Sequence, residues 1–119
     1  RLLSMKELLI IIRPEKLETV KSVLDNQGCH GMTILSVMGC GAQKGITEGT
    51  NVIKGMKTNI NLLPKIMVLA VLPDDAVPET VLKIEDAIRT GHVGDGKIFI
   101  KNVEDAVRMR TGERGDAAL

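Results

Sequence analysis

The stretch Thr90–Ile100 reads T-G-H-V-G-D-G-K-I-F-I, and it places three glycines, an aspartate and a lysine between a helix-like segment and a short apolar run. Glycine allows positive φ and close backbone approach, so successive N–H groups can converge on an anion beside the charge of Lys97. The same pattern is typical of a connection from a helix to a strand, with Gly91 as the helix C-cap. Taken alone, the stretch leaves both interpretations open.

The spacing Gly91-x4-Gly96-Lys97 imitates the phosphate-binding P-loop, but position 98 is Ile where a P-loop carries the Ser or Thr that holds magnesium. A P-loop also leads from a strand into a helix. Here the helical pattern Pro78–Arg89 comes first and the β-branched run Ile98–Ile100 follows. These differences exclude an NTPase of the P-loop type.

Apolar periodicity along the whole chain predicts four strands and two helices. The strands are Lys6–Ile12, Met32–Met38, Leu62–Leu72 and Lys97–Lys101, and the helices run from Pro14 to the stop at Asn26-Gln27-Gly28 and from Pro78 to Arg89. The residues from Gly39 to about Asn61 have no stable period and predict a long loop. The order βαββαβ predicts an α+β fold with both helices on one face of an antiparallel sheet.

The predicted strands are apolar on both sides, so the sheet face without helices needs a cover. We expect copies of the chain to bury it in a cyclic oligomer; a monomer with a wet outer face is the alternative. The length of 119 residues suits one domain, with Met5 as the expected start of the fold and residues 1–4 either vector-derived or a ragged end.

Composition excludes several classes of function. Sixteen basic and fifteen acidic residues leave a charge of +1, which predicts no bulk attraction to nucleic acid or membrane, and Phe99 is the single aromatic residue available for base stacking. Cys29 and Cys40 lack C-x-x-C spacing, and the two histidines complete no metal set. We therefore expect reduced thiols in a cytoplasmic protein that is not inserted into a membrane.

Short motifs stand in one order from end to end of the chain. They are Arg13-Pro14, Gly31-Met32-Thr33, Gly39-Cys40-Gly41, Gln43-Lys44-Gly45, Leu63-Pro64-Lys65, Gly94-Asp95-Gly96-Lys97 and Arg108-Met109-Arg110-Thr111-Gly112. In this order they resemble the P-II family of nitrogen-regulatory signal-transduction proteins. The resemblance implies one ferredoxin-like domain with a core at 5–112, a long effector loop at 41–61 and a C-terminal tail at 108–119. It also implies assembly as a homotrimer or as a hetero-oligomer with a P-II paralogue.

For function, the resemblance implies a non-enzymatic sensor of ATP against ADP and of 2-oxoglutarate, with sites between neighbouring subunits. The implied nucleotide-binding residues are Thr33, Gly41, Ala42, Gln43, Gly94, Asp95, Gly96, Lys97, Arg108 and Arg110. The glycine stretch would wrap the phosphates, and the two arginines would reach them from the neighbour. Many relatives carry an arginine at the position of Ala42, so one phosphate contact is expected to be missing or supplied elsewhere.

The residues implied in 2-oxoglutarate binding are Arg13, Gln43, Lys44, Gly45 and Lys65. The Gln43 amide oxygen would ligate the Mg²⁺ held by ATP, and Lys65 would pair with the far carboxylate of the effector. Because the metal links the two ligands, 2-oxoglutarate is expected to bind well only together with ATP.

The loop at 41–61 is longer than the family's common form and contains neither tyrosine nor serine, which excludes uridylylation and serine phosphorylation there. It resembles the branch that regulates nitrogenase in methanogenic archaea and some anaerobic bacteria. The implied target is a nitrogenase component; the alternative is a P-II protein that blocks an ammonium transporter or regulates an enzyme.

Catalysis is disfavoured by the residues themselves. The sequence offers no Ser/His/Asp set and no placed pair of carboxylates, and Asp95 is better explained as a turn residue. We expect Cys40 to be a small buried packing residue, with oxidation as the less favoured role. His92 either approaches a phosphate or lies exposed in the turn, and Cys29 and His30 belong to a connector without a role.

Overall fold

The computed structural model describes residues 4–40, 50–53, 56–59 and 62–119. The helices and strands, in chain order, are β1 (Met5–Ile12), α1 (Leu17–Asn26), β2 (Thr33–Cys40), β3 (Thr50–Ile53), β4 (Met56–Asn59), β5 (Leu62–Pro73), α2 (Val77–Ile88) and β6 (Lys97–Val103). Short 3₁₀ turns precede both helices, at Pro14–Lys16 and Asp74–Ala76, and a third covers Gly115–Ala118.

Four strands form an antiparallel sheet in the order β2-β5-β1-β6. This order, with one helix after β1 and the other after β5, confirms the predicted α+β, ferredoxin-like βαββαβ fold. The prediction of a stretch without periodic structure from Gly39 to Asn61 was wrong in part. β3 and β4 lie there and pair with each other in a separate two-stranded sheet. Each strand has only four residues, which is too short for an apolar periodicity to be detected in the sequence.

The sheet has two different faces, because successive side chains of a strand point to opposite sides. In β1, Leu8, Ile10 and Ile12 are buried, whereas the intervening Leu9 and Ile11 remain partly exposed. The buried set packs against both helices. The full core comprises Leu8, Ile10, Ile12, Val20, Leu24, Cys29, Val68, Ala70, Leu72, Val77, Ile84 and Ile88.

The helices bury residues at helical spacing, Val20 and Leu24 in α1 and Thr80, Ile84 and Ile88 in α2. The buried Thr80 hydroxyl donates to the Ala76 carbonyl at 2.7 Å, which satisfies its polar group. The predicted helix limits were wrong by a few residues. Pro14 opens the 3₁₀ turn rather than α1, and α2 ends at Ile88, one residue earlier than predicted.

The second face carries no helix. We call this second face the open face. Residues that pair directly across neighbouring strands share a face, and the apolar residues on the open face are Leu9, Ile11, Leu35, Met67, Leu69 and Phe99. Leu35 is 41% exposed and Phe99 is 47% exposed. The predicted uncovered apolar sheet face is therefore present in the single chain.

Both cysteines differ from the prediction. Cys29 is not an idle connector residue but part of the core, and its burial raises the pKa of the thiol. Cys40 is exposed rather than buried. Cys40 is the last residue of the edge strand β2 and pairs with Leu62 of β5. The pairing of β5 with β1 already ends at Ile66, so β1 does not extend to the level of Cys40.

The C-terminal segment is folded back on itself rather than an open tail. Val107 pairs with Arg114, and the Arg108 carbonyl accepts hydrogen bonds from the N–H groups of Thr111 and Gly112. We call residues 105–115 the C-terminal turn. In the part of the chain that is described, no helix has the length and apolar character needed to cross a membrane.

Candidate functional site

The candidate site is centred on the connection from α2 to β6, residues Thr90–Gly96, which we call the glycine turn. The C-cap of α2 is Arg89 in an extended conformation, so the assignment of Gly91 as the C-cap was wrong. Gly91, Gly94 and Gly96 all have positive φ, of 85°, 99° and 110°. At Gly96 a Cβ atom would lie 2.0 Å from the Ile11 carbonyl oxygen, so only glycine allows the turn to press against β1.

Asp95 fixes the first half of the glycine turn. One of its carboxylate oxygens accepts the backbone N–H groups of Thr90 and Gly91 at 2.8 and 2.9 Å, and the other accepts the Thr90 hydroxyl. These hydrogen bonds, led by that of the Thr90 hydroxyl, lower the pKa of Asp95 to about 2. The Asp95 side chain is thereby occupied within its own turn, as expected for a turn residue.

Two cations hold the second half of the turn. The Arg13 guanidinium donates to the Val93 carbonyl at 2.6 Å and lies 3.6 Å from the Asp95 carboxylate. The Lys65 ammonium donates to the Gly94 carbonyl at 3.2 Å. Both residues were predicted to bind 2-oxoglutarate, and the structure places both of them beside the glycine turn.

A groove of about 530 Å³ lies beside the turn and is lined by Gly39, Cys40, Lys65, His92, the stretch Val93–Lys97 and neighbouring apolar residues. Lys97 is exposed at its edge. Among the described residues, no hydrogen bond uses the backbone N–H of Gly94 or Gly96. Backbone N–H groups that have no partner among the described residues, in a groove that an exposed lysine also lines, form a site suited to an anion such as a phosphate.

The C-terminal turn holds the two predicted arginines in different ways. Arg108 lies 3.4 Å from the Glu113 carboxylate and donates to the Leu119 carbonyl at 2.6 Å. Arg110 lies exposed at the tip next to Met109, which is 89% exposed, and makes no hydrogen bond or ion pair with the described part of the chain. Arg110 is therefore the arginine that is presented to solvent.

Sequence reasoning missed Asp105, which organises this second turn. Its carboxylate accepts the N–H groups of Ala106 and Gly115 at 2.8 and 3.1 Å and pairs with Arg114 at 3.1 Å. The hydrogen bond from Ala106 is the main cause that lowers the pKa of Asp105. An Asp-Ala dipeptide at the end of a strand is a weak turn signal, and the contact to Gly115 spans ten residues, so the sequence offered little evidence for it.

The two turns lie at opposite ends of the sheet. β6 starts with Lys97, opposite Ile11, and ends with Val103, opposite Met5, so the chain travels about 20 Å between them. Thr33 lines a different cavity, of about 810 Å³, together with Asp116 and Leu119. A single chain therefore brings together Arg13, Lys65 and Gly94–Lys97, and it does not bring Thr33, Arg108 and Arg110 to them.

Five of the predicted site residues lie outside the described part of the chain: Gly41, Ala42, Gln43, Lys44 and Gly45. The described residues contain no group of three or more His, Cys, Asp or Glu side chains that could hold a metal ion. The predicted magnesium ligand, Gln43, is among the five, so the metal site stays a prediction.

The fold agrees with that of known proteins. The model of the family "Nitrogen regulatory protein P-II" matches residues 5–113. "Nitrogen regulatory protein P-II 2" of Methanothermobacter thermautotrophicus is 50% identical over 115 residues, which cover 97% of each chain. Both descriptions name a regulatory protein.

Two solved structures share the fold. The Bacillus subtilis GlnK–ATP complex superposes with a TM-score of 0.79 at 28% identity, over 98% of this chain and 96% of that one. Arabidopsis thaliana PII bound to citrate superposes with a TM-score of 0.76 at 31% identity, over 98% and 92%. The chain therefore belongs to the P-II family of nitrogen regulatory proteins, which are signal transducers and not enzymes.

Proposed function

We propose that this P-II protein senses the ratio of ATP to ADP by binding their phosphates at the glycine turn. The observation that carries the proposal is the turn itself: Gly94 and Gly96, whose N–H groups have no partner among the described residues, line one groove with the exposed Lys97. A P-II relative of the same fold, Bacillus subtilis GlnK, is known as an ATP complex, which supports a nucleotide as the ligand. Charge-assisted hydrogen bonds contribute about 1.5–3 kcal/mol each, so a few of them account for micromolar affinity.

The proposed site is shared between copies of the chain. One copy supplies Gly94, Asp95, Gly96 and Lys97, and a neighbour supplies Arg108, Arg110 and Thr33. Two observations support this arrangement: the two halves lie at opposite ends of one sheet, and the open face leaves apolar side chains such as Phe99 uncovered. A cyclic homotrimer satisfies both, since it buries the open face and repeats one contact around a ring. A hetero-oligomer with a P-II paralogue would use the same contacts.

The proposed effector is 2-oxoglutarate, which would bind next to the nucleotide through Mg²⁺. Gln43 would ligate the metal, and Lys44, Gly45, Arg13 and Lys65 would complete the effector site. The position of Lys65 in the same groove as the glycine turn supports this arrangement. That Arabidopsis PII binds citrate supports a small polycarboxylate as a ligand of the fold.

The proposed output is the loop at 41–61, whose base joins β2 and β5 at the groove. Ligands there would shift the balance among loop conformations by their different affinities for each, and one conformation would fit the target. We propose a nitrogenase component as the target, because the loop is long and lacks tyrosine and serine. An ammonium transporter or a metabolic enzyme is the alternative target.

Titration calorimetry and a mass measurement test the proposal together. ATP and ADP should each bind with micromolar affinity, and 2-oxoglutarate should release heat only when Mg²⁺ and ATP are present. Light scattering should give three times the 12.9 kDa mass of the chain. Absence of nucleotide heat from an assembled oligomer would contradict the nucleotide proposal, and a monomer that binds ATP would contradict the shared site.

A further inference from the structure

Two cations hold the glycine turn through its carbonyl oxygens. Arg13 binds the carbonyl of Val93 and Lys65 binds the carbonyl of Gly94. These two carbonyls belong to successive peptide units, Val93–Gly94 and Gly94–Asp95. The cations therefore hold the two peptide planes that lie at the centre of the turn.

A trans peptide unit is planar, and its C=O and N–H bonds point in opposite directions. Fixing the Val93 carbonyl therefore also fixes the direction of the Gly94 N–H, and fixing the Gly94 carbonyl fixes that of the Asp95 N–H. Gly94 has a φ of 99° and no side chain, so its two flanking peptide planes rotate easily unless something holds them. The Asp95 carboxylate does not do so, because it binds the N–H groups of Thr90 and Gly91 at the start of the turn.

We infer that Arg13 and Lys65 are positioning residues for the anion site: they fix the direction of the Gly94 N–H group, which belongs to that site, and of the adjoining Asp95 N–H group before any ligand arrives. This inference rests on the proposed function, and it assigns Arg13 a task for the nucleotide that is separate from any contact with 2-oxoglutarate. Arg13 is well placed for it, because it directly follows Ile12 at the end of β1, where the turn presses against the Ile11 carbonyl.

Each cation holds a different peptide unit, Arg13 that of Val93–Gly94 and Lys65 that of Gly94–Asp95, and this difference can be tested in the nucleotide-free protein. Amide resonances are recorded by ¹H–¹⁵N NMR for the full chain and for the variants Arg13→Met and Lys65→Met. Arg13→Met should shift the Gly94 amide most and speed its hydrogen exchange, whereas Lys65→Met should do the same at Asp95. The Gly112 amide, in the C-terminal turn, serves as the internal reference. Both residues are half-buried and neither belongs to the hydrophobic core, so the variants are expected to fold.

Nucleotide affinity is the second readout, measured with ADP in the absence of Mg²⁺ and 2-oxoglutarate. Arg13→Met should weaken ADP binding about tenfold, the loss expected for one charge-assisted hydrogen bond. Arg13→Lys should restore most of the affinity, because an ammonium group can also donate to the Val93 carbonyl, as Lys65 does to Gly94. The control is Lys83→Met, which removes the same charge from an exposed α2 residue paired with Glu79.

The outcomes separate the possible roles. Altered amides with weaker ADP binding, and an unaffected Lys83→Met variant, support the inference. Weaker ADP binding with unchanged Gly94 and Asp95 amides overturns it, because the cations then touch the ligand directly. Unchanged amides with unchanged affinity also overturn it. If the wild-type protein binds no nucleotide, the proposed function fails, and the amide shifts of the ligand-free protein still decide whether the cations orient the turn.

Discussion

The two ends of the sheet carry two turns built on the same device, a carboxylate that accepts backbone N–H groups of its own segment. Asp95 does this in the glycine turn and Asp105 in the C-terminal turn, and the pKa of each is lowered as a result. Their surroundings differ. The glycine turn is also wedged against β1 and held by Arg13 and Lys65, which are distant in sequence.

The C-terminal turn, in contrast, draws its described side-chain hydrogen bonds from residues 105–119 alone, and it presents Met109 and Arg110 at an exposed tip. The difference indicates two kinds of task. A turn that is fixed by the body of the fold suits a ligand that must find its donors already in place. A turn that is fixed only within itself, with an uncovered tip, suits contact with another molecule.

The largest expected difference between the two turns is in the free energy of unfolding after a glycine is replaced by alanine. Gly96→Ala should destabilise the fold by at least about 3 kcal/mol, because the added Cβ meets the Ile11 carbonyl and the residue has a positive φ. Gly112 also has a positive φ, but apart from its chain neighbours no heavy atom of the described residues lies within 4 Å of an added Cβ, so strain alone should make Gly112→Ala cost about 1–2 kcal/mol. Urea unfolding of both variants measures the comparison, and equal losses would contradict the claim that the glycine turn is wedged against β1.

The next largest effect should be on nucleotide binding. Lys97→Ala and Arg110→Met should each weaken ADP binding about ten- to a hundredfold, because each removes one charged partner of the phosphates. Neither should change the free energy of unfolding by more than about 0.5 kcal/mol, since both side chains are exposed. Calorimetry with ADP checks the first expectation and urea unfolding the second. Loss of affinity in Lys97→Ala alone would mean that Arg110 takes no part in the site.

The smallest effect should be a dependence of stability on pH. The pKa of Asp95 is lowered from its ordinary 3.8 to about 2 in the fold, so its ionised form stabilises the native state. That contribution is fully present above pH 3.8 and is lost as the pH falls through about 2. The stability difference between wild type and Asp95→Asn should therefore shrink across this window.

Asp105→Asn should behave in the same direction, because the pKa of Asp105 is lowered as well. Unfolding curves recorded at several acidic pH values for both variants test the pair. A stability difference that stays constant across the window would show that the carboxylates are not held in their ionised form by the turns.

Sequence reasoning predicted the strands and helices that depend on long apolar runs, such as β1 and β5. It failed where structure depends on partners or on position. Cys40 was predicted to be a small buried packing residue, yet it is exposed because β2 is an edge strand that extends past β1. Pro14 fits the first turn of a helix, but that turn is 3₁₀ and α1 starts at Leu17. β3 and β4 are too short for any period to appear.

For the site, the glycines, Asp95 and Lys97 could be singled out because their residue types carry a local signal. Two contacts could not be predicted, that of Arg13 with Val93 and that of Asp105 with Gly115, because they join residues 80 and 10 positions apart. The separation of Lys97 from Arg110 within one chain also depends on the direction of β6, which only the paired sheet reveals. The resemblance to P-II proteins implied a shared site, and the separation of the two turns along β6 supports that proposal.

The central claim, that one nucleotide site is formed by the turns of two copies, is tested most directly by mixing two defective variants. Lys97→Ala and Arg110→Met chains are unfolded together, refolded as mixed oligomers and titrated with ADP. If the site is shared, an interface between the two variants that combines an intact glycine turn with an intact C-terminal turn binds ADP with wild-type affinity, although neither variant does so alone. If every site in the mixture stays as weak as in the separate variants, the shared site is contradicted.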